Sequence, residues 1–62
     1  MKPEWIIYKN EERIGQAITW HKALDILLKQ EGITKFAIHM YTGAVFVESE
    51  CGKQRYKIIK ER

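Results

Sequence analysis

Between Thr19 and Gly32 the apolar residues Trp20, Ala23, Leu24, Leu27 and Leu28 recur at intervals of three and four. That spacing lines one side of a helix and leaves His21, Lys22, Asp25 and Lys29 on the opposite arc. Thr19 stands where an N-cap belongs and Gly32 where a helix stops, so the pattern predicts a helix over about 20–31. Elsewhere the period is two. "EWIIY" and "RIGQAI" flank "KNEE", a polar turn built around Asn10. Pairing Tyr8 with Arg13 sets Ile7 opposite Ile14 and Trp5 opposite Gln16, with Trp5, Ile7, Ile14 and Ile18 pointing inward. Gly15 suits a bulge or a close approach. Further on, Phe36, Ile38 and Met40 alternate with Ala37, His39 and Tyr41, and Val45 and Val47 alternate with Ala44, Phe46 and Glu48. The "TG" turn sets Met40 opposite Val45, Ile38 opposite Val47 and His39 opposite Phe46. "CGK" reads as another turn. "QRYKIIK" reads as a last strand, with Tyr56 and Ile58 on one side and Arg55, Lys57 and Ile59 on the other.

These elements predict an α+β fold of order ββαβββ: a small antiparallel sheet of four or five strands with one helix packed on one face. Residues 1–62 form a single domain, with Pro3 ending a short flexible lead. Such a two-layer arrangement leaves the second face of the sheet uncovered, and it is the face that carries His39, Tyr41 and Phe46.

Composition narrows the possibilities. A chain of 62 residues with 45% hydrophobic and 31% charged residues is too apolar to stay disordered, yet short enough that its core is small. Cys51 is the single cysteine, so no intrachain disulfide can form. Cys51, His21 and His39 are too few and too badly spaced for a zinc site, and no cofactor is expected. A lone thiol suits a reducing compartment, and nothing in the chain approaches the ~20 apolar residues of a membrane span. The N-terminus has no apolar run of the kind found in a signal peptide. A cytoplasmic protein without membrane contact is the expectation.

Charge is unevenly spread. Residues 1–50 carry six Lys/Arg and seven Asp/Glu, a net of −1, whereas residues 51–62 carry five Lys/Arg and one Glu, a net of +4. The basic last strand admits two readings. It meets phosphate or an acidic protein surface, or it is an edge strand guarded by lysine and arginine against pairing with other sheets.

Trp5 in the first strand, Ala23 on the helix, and "IHMYTGAVFVESECG" with His39 before the turn glycine Gly43 and the later Gly52 resemble a group of short uncharacterised bacterial proteins with a β-hairpin–helix–β-hairpin plan. The resemblance spans about residues 4–52. It departs at Cys51, where an aromatic is expected, and the basic strand lies outside it. It implies a fold and carries no activity.

Motifs of catalysis are absent: no G-x-S-x-G, P-loop, G-x-G-x-x-G or H-E-x-x-H occurs. Cys51 with His39 is the one conceivable thiolate pair, but the hairpin register sets Phe46, not Cys51, against His39. His21 and Asp25 are spaced to pair on the helix, where the ordinary reading is a solvated face. Glu11 and Glu12 are turn carboxylates with no acid–base partner. No enzymatic activity is expected.

The open sheet face is the better candidate. Phe46, Tyr41 and His39 cluster on it, Ile6, Tyr8 and Arg13 are placed to join them, and Arg55 and Lys57 border them. A contiguous apolar surface on so small a chain points to association. The leading expectation is a non-enzymatic binding protein that works as a homo-oligomer, a dimer, and engages a host protein, in the manner of a phage or mobile-element accessory protein. Phe46, Tyr41 and His39 would anchor while Arg55 and Lys57 steer. The alternative is a nucleic-acid-binding module in which the aromatics stack bases and the basic strand holds phosphates. A third reading has Phe46 tucked under the last strand, serving the fold alone.

Overall fold

A computed structural model describes residues 4–50 and 54–61. The elements are β1 (Trp5–Lys9), β2 (Glu12–Ala17), α1 (Trp20–Glu31), β3 (Phe36–Tyr41), β4 (Ala44–Ser49) and β5 (Arg55–Lys60). The α+β class, the ββαβββ order and the helix limits match the sequence expectation. The expected "CGK" turn, with Cys51 and Gly52, and the lead before Glu4 lie outside the described residues.

Local chemistry accounts for each element. At the start of α1 the Lys22 amide donates to the Thr19 hydroxyl oxygen at 3.2 Å. At its end Gly32 adopts φ 67°, its amide donates to the Leu28 carbonyl, and Ile33 donates to the same oxygen at 2.9 Å. This left-handed cap satisfies a carbonyl that the helix leaves open and suits glycine. The β1–β2 loop is two residues long, and both Asn10 (φ 53°) and Glu11 (φ 68°) sit in the left-handed region, as a tight hairpin matched to strand twist requires.

All five strands form one antiparallel sheet in the order β2-β1-β5-β4-β3. This overturns the reading of the basic strand as a guarded edge. β5 lies at the centre, hydrogen-bonded to β1 on one side and β4 on the other, and the edges are β2 and β3. The reason is burial: Tyr56 and Ile58 are 3% and 0% exposed, which only a strand flanked on both sides achieves beneath a single short helix.

The β3–β4 register is as expected, with Ile38 opposite Val47, His39 opposite Phe46 and Met40 opposite Val45. The β1–β2 register is not. Tyr8 does face Arg13, but Ile7 faces Gly15 and Trp5 faces Ala17, because a bulge at Ile14 adds a residue to β2. Both Ile14 and Gly15 then lie on the helix side, and a side chain at Gly15 would meet Ile7 Cδ1 at 3.2 Å. The bulge also brings Arg13 and Gln16 to one face, where the guanidinium donates to the amide oxygen. Ile18, expected to point inward, is 47% exposed just before the helix.

The core sits between α1 and the inner face and consists of Ile7, Ala23, Leu27, Val45, Val47, Tyr56 and Ile58. The helix packs on β1, β2 and β5. It stops short of β3, so Met40 is 57% exposed although its register places it on the inner face. At the helix C-terminus Glu31 ties the layers together. Its Oε1 accepts from Lys9 Nζ at 3.0 Å and from the Tyr56 hydroxyl at 3.3 Å. The hydrogen bond and charge of Glu31 raise the Lys9 pKa above its ordinary 10.5. Burial, then the Glu31 charge, raises that of Tyr56 above 10.0.

Candidate functional site

The outer face can be read row by row from the registers. One row runs Tyr8, Lys57, Phe46, His39; the next runs Ile6, Ile59, Ala44, Tyr41; a third holds Arg55, Glu48 and Ala37. All five residues singled out from the sequence, His39, Tyr41, Phe46, Arg55 and Lys57, therefore share this face. They line one shallow cleft of about 520 Å³, together with Glu48 and the Asn10–Glu11 turn.

The aromatics are arranged, not merely exposed. The Tyr41 and Phe46 rings meet edge to face, centroids 5.4 Å apart and planes at 66°. That geometry sets the positive ring edge of one against the negative face of the other. Phe46 is 39% exposed beside Lys57, so it is not tucked beneath the last strand. Ile6 is the opposite case. It lies on the outer face yet is 2% exposed, flanked by Gln16 and Ile59, and it supplies floor to the face instead of contact surface.

Electrostatics divide the two cations of β5. Arg55 Nε lies 3.4 Å from Glu48 Oε2, and Glu48 Oε1 lies 4.0 Å from His39 Nε2, so one carboxylate serves two partners. Lys57 is half-buried between Tyr8 and Phe46 and has no ion pair among the described residues. Sequence reasoning placed Lys57 at the border of the aromatics. The sheet order moves it to the middle of the face, because β5 is central. Glu48 was overlooked, although its even spacing from Phe46 puts it on the same face of β4.

The remaining candidates separate from this site. His21 stacks on Trp20, ring centroids 3.8 Å apart, and Asp25 pairs with Lys29 at 3.4 Å instead of with His21. The Cys51–His39 pair falls outside the described residues at Cys51. Among the described residues no group of three or more His, Cys, Asp or Glu converges as a metal site, and no helix is long and apolar enough to cross a membrane. In comparisons with protein-family models, curated proteins and solved structures, no match to this chain was found. No residue role is carried over from another protein.

Proposed function

We propose that this chain is a non-enzymatic binding module that works as a pair of copies and engages a partner protein through its open sheet face. The observation that supports this best is the row Tyr8, Lys57, Phe46 in the middle of that face: a half-buried lysine without an ion pair among the described residues, set between aromatic residues on the two neighbouring strands. A cation set among aromatic neighbours gains from an anionic group delivered with apolar surface around it. An acidic side chain set among apolar neighbours on a protein surface meets both demands. Phe46 and Tyr41 would supply the contact area, and Arg55, partly neutralised by Glu48, would contribute steering more than affinity.

The same row favours one other reading. An aromatic–cation–aromatic arrangement across three adjacent strands also suits stacked bases and a phosphate, so single-stranded nucleic acid is the second candidate. Salt separates them. A titration with oligothymidylate and with an acidic peptide containing aromatic residues, followed by amide shifts of Tyr8, Phe46 and Lys57, tests both. Nucleic-acid binding should weaken steeply with salt, and Lys57→Ala should reduce the salt slope by about one unit. Peptide binding should weaken only modestly with salt, since it rests on one charge pair and an apolar contact, and be lost in Phe46→Ala. Failure of both probes to move these amides removes the face as a binding site.

A further inference from the structure

The two edges of the sheet differ, and the β3 edge is self-complementary. Among the described residues nothing pairs with its outer side. Its sequence, FAIHMY, has no Lys, Arg, Asp, Glu or Pro, and its pairing with β4 runs without a bulge. These are the devices that ordinarily guard an exposed edge. The strand is open on both faces towards its ends, since Met40 and Phe36 are 57% and 38% exposed on the helix side and Tyr41 is 65% exposed on the other, while Ile38 between them is half-buried against the core.

The direction of the free backbone groups follows from the hydrogen bonds. Successive residues of a strand send their N–H and C=O to opposite edges. In β4 the Ser49 amide bonds Gln54 on the β5 side, so Val47 and Val45 bond β5 as well, and Ala44, Phe46 and Glu48 bond β3. Their partners are Tyr41, His39 and Ala37. The groups of Phe36, Ile38 and Met40 therefore point out from the edge, unpaired among the described residues.

We infer that β3 is the site of self-association: two copies join antiparallel along β3 about a two-fold axis at Ile38, making one continuous sheet. This rests on the paired-copy part of the proposed function and names the surface that makes the pair. Only one register uses every free group. It sets Ile38 against Ile38 of the second copy and Phe36 against its Met40, in both directions. A shift by two residues leaves one end unbonded, and a shift by one sends the apolar set to the wrong face. The chosen register puts methionine sulfur against an aromatic ring and Ala37 against His39, and it brings no like charges opposite one another. Because α1 lies over β1, β2 and β5, the inner side of β3 is open for the second copy to approach. A contact of six strand residues a side is well below the roughly 20–30 a side of a standard interface, so the dimer should dissociate on dilution.

The test is solution mass by light scattering over a dilution series, for the parent, Met40→Lys and Phe46→Ala. Met40 is exposed in the single copy, so the lysine leaves the fold intact, which circular dichroism checks. The expected result is a dimer lost in Met40→Lys and kept in Phe46→Ala, with the Ile38 and Met40 amides exchanging more slowly in the dimer than in the diluted protein. A dimer lost in Phe46→Ala but kept in Met40→Lys overturns the β3 edge while sparing the paired reading. A monomer at every concentration overturns both. As a second route, Ile38→Cys in a Cys51→Ser background should form a disulfide-linked dimer under oxidation, because facing strand residues sit about 5.5 Å apart at Cα, within disulfide reach. Failure to cross-link in a chain that dimerises excludes the Ile38 axis.

Discussion

The β2 and β3 edges divide the labour of this small domain. β2 lies beneath the helix, is kinked by the Ile14 bulge, and carries Glu12 and Arg13 at its start. β3 is regular, has no Lys, Arg, Asp or Glu, and has its Met40 end beyond the reach of the helix. A single helix of 12 residues cannot roof five strands. It covers β2, β1 and β5 and leaves the β3 side uncovered. The lesson is that burial here is distributed by the footprint of the helix, and that the same alternating pattern makes core in one half and open surface in the other.

The largest effect should come from the covered half. Leu27, fully buried at the centre of the helix stripe, should lose about 2–5 kcal/mol as Leu27→Ala. In a domain of this size that is much of the total stability, and urea denaturation should find the variant close to unfolded. A loss well under ~1 kcal/mol would mean that the helix is not what holds the sheet, and the contrast between the halves would fail. Gly15→Val comes next. Its Cβ would crowd Ile7 Cδ1 at 3.2 Å, so a loss of about 1–3 kcal/mol is expected from overpacking under the helix. A neutral result would show that the Ile7 side chain gives way to the added methyl groups.

A smaller effect sharpens the link between the layers. Lys9 and Tyr56 both have folded pKa values above their ordinary 10.5 and 10.0, so both hold their protons more firmly in the folded chain. Their contribution is therefore complete below about pH 10 and drains away as pH rises through the folded values. Denaturation midpoints should be flat from neutral to mildly alkaline pH and fall beyond. Glu31→Gln should shallow that fall without abolishing it, since burial alone still raises Tyr56. An equally steep fall in the variant would remove Glu31 from the account.

The smallest effect belongs to the uncovered half. Met40→Ser should change the unfolding free energy of the dilute protein by no more than ~0.5 kcal/mol, as an exposed position does. A larger loss in dilute solution would show that β3 is roofed after all. At concentrations where copies pair, the same Met40 change should cost stability that dilution erases.

Much of this was legible in the residues alone, and the limit is instructive. The helix was readable to its ends because stripe, Thr19 cap and Gly32 stop all act within one or two turns of chain. The β3–β4 register was readable because a two-residue loop leaves one way to pair the strands. The first hairpin defeated the same logic. Alternation holds only while each residue faces one partner, and Ile14 breaks that count, shifting Ile7 to Gly15. The Lys9–Glu31–Tyr56 contacts were missed because they join residues far apart in sequence, whereas the face of Glu48 was legible from its even spacing and only its pairing with Arg55 needed the β4–β5 register.

The chain by itself thus determined its elements, the inner and outer residues of the second hairpin and the last strand, and the gathering of His39, Tyr41 and Phe46 on one side, all consequences of short-range periodicity. Tertiary structure alone decided that β5 runs through the middle of the sheet. An alternating strand can pair on either side, and only the need to bury Tyr56 and Ile58 between β1 and β4 chooses the centre. That choice carries Lys57 between Tyr8 and Phe46 and leaves β3 as the bare edge.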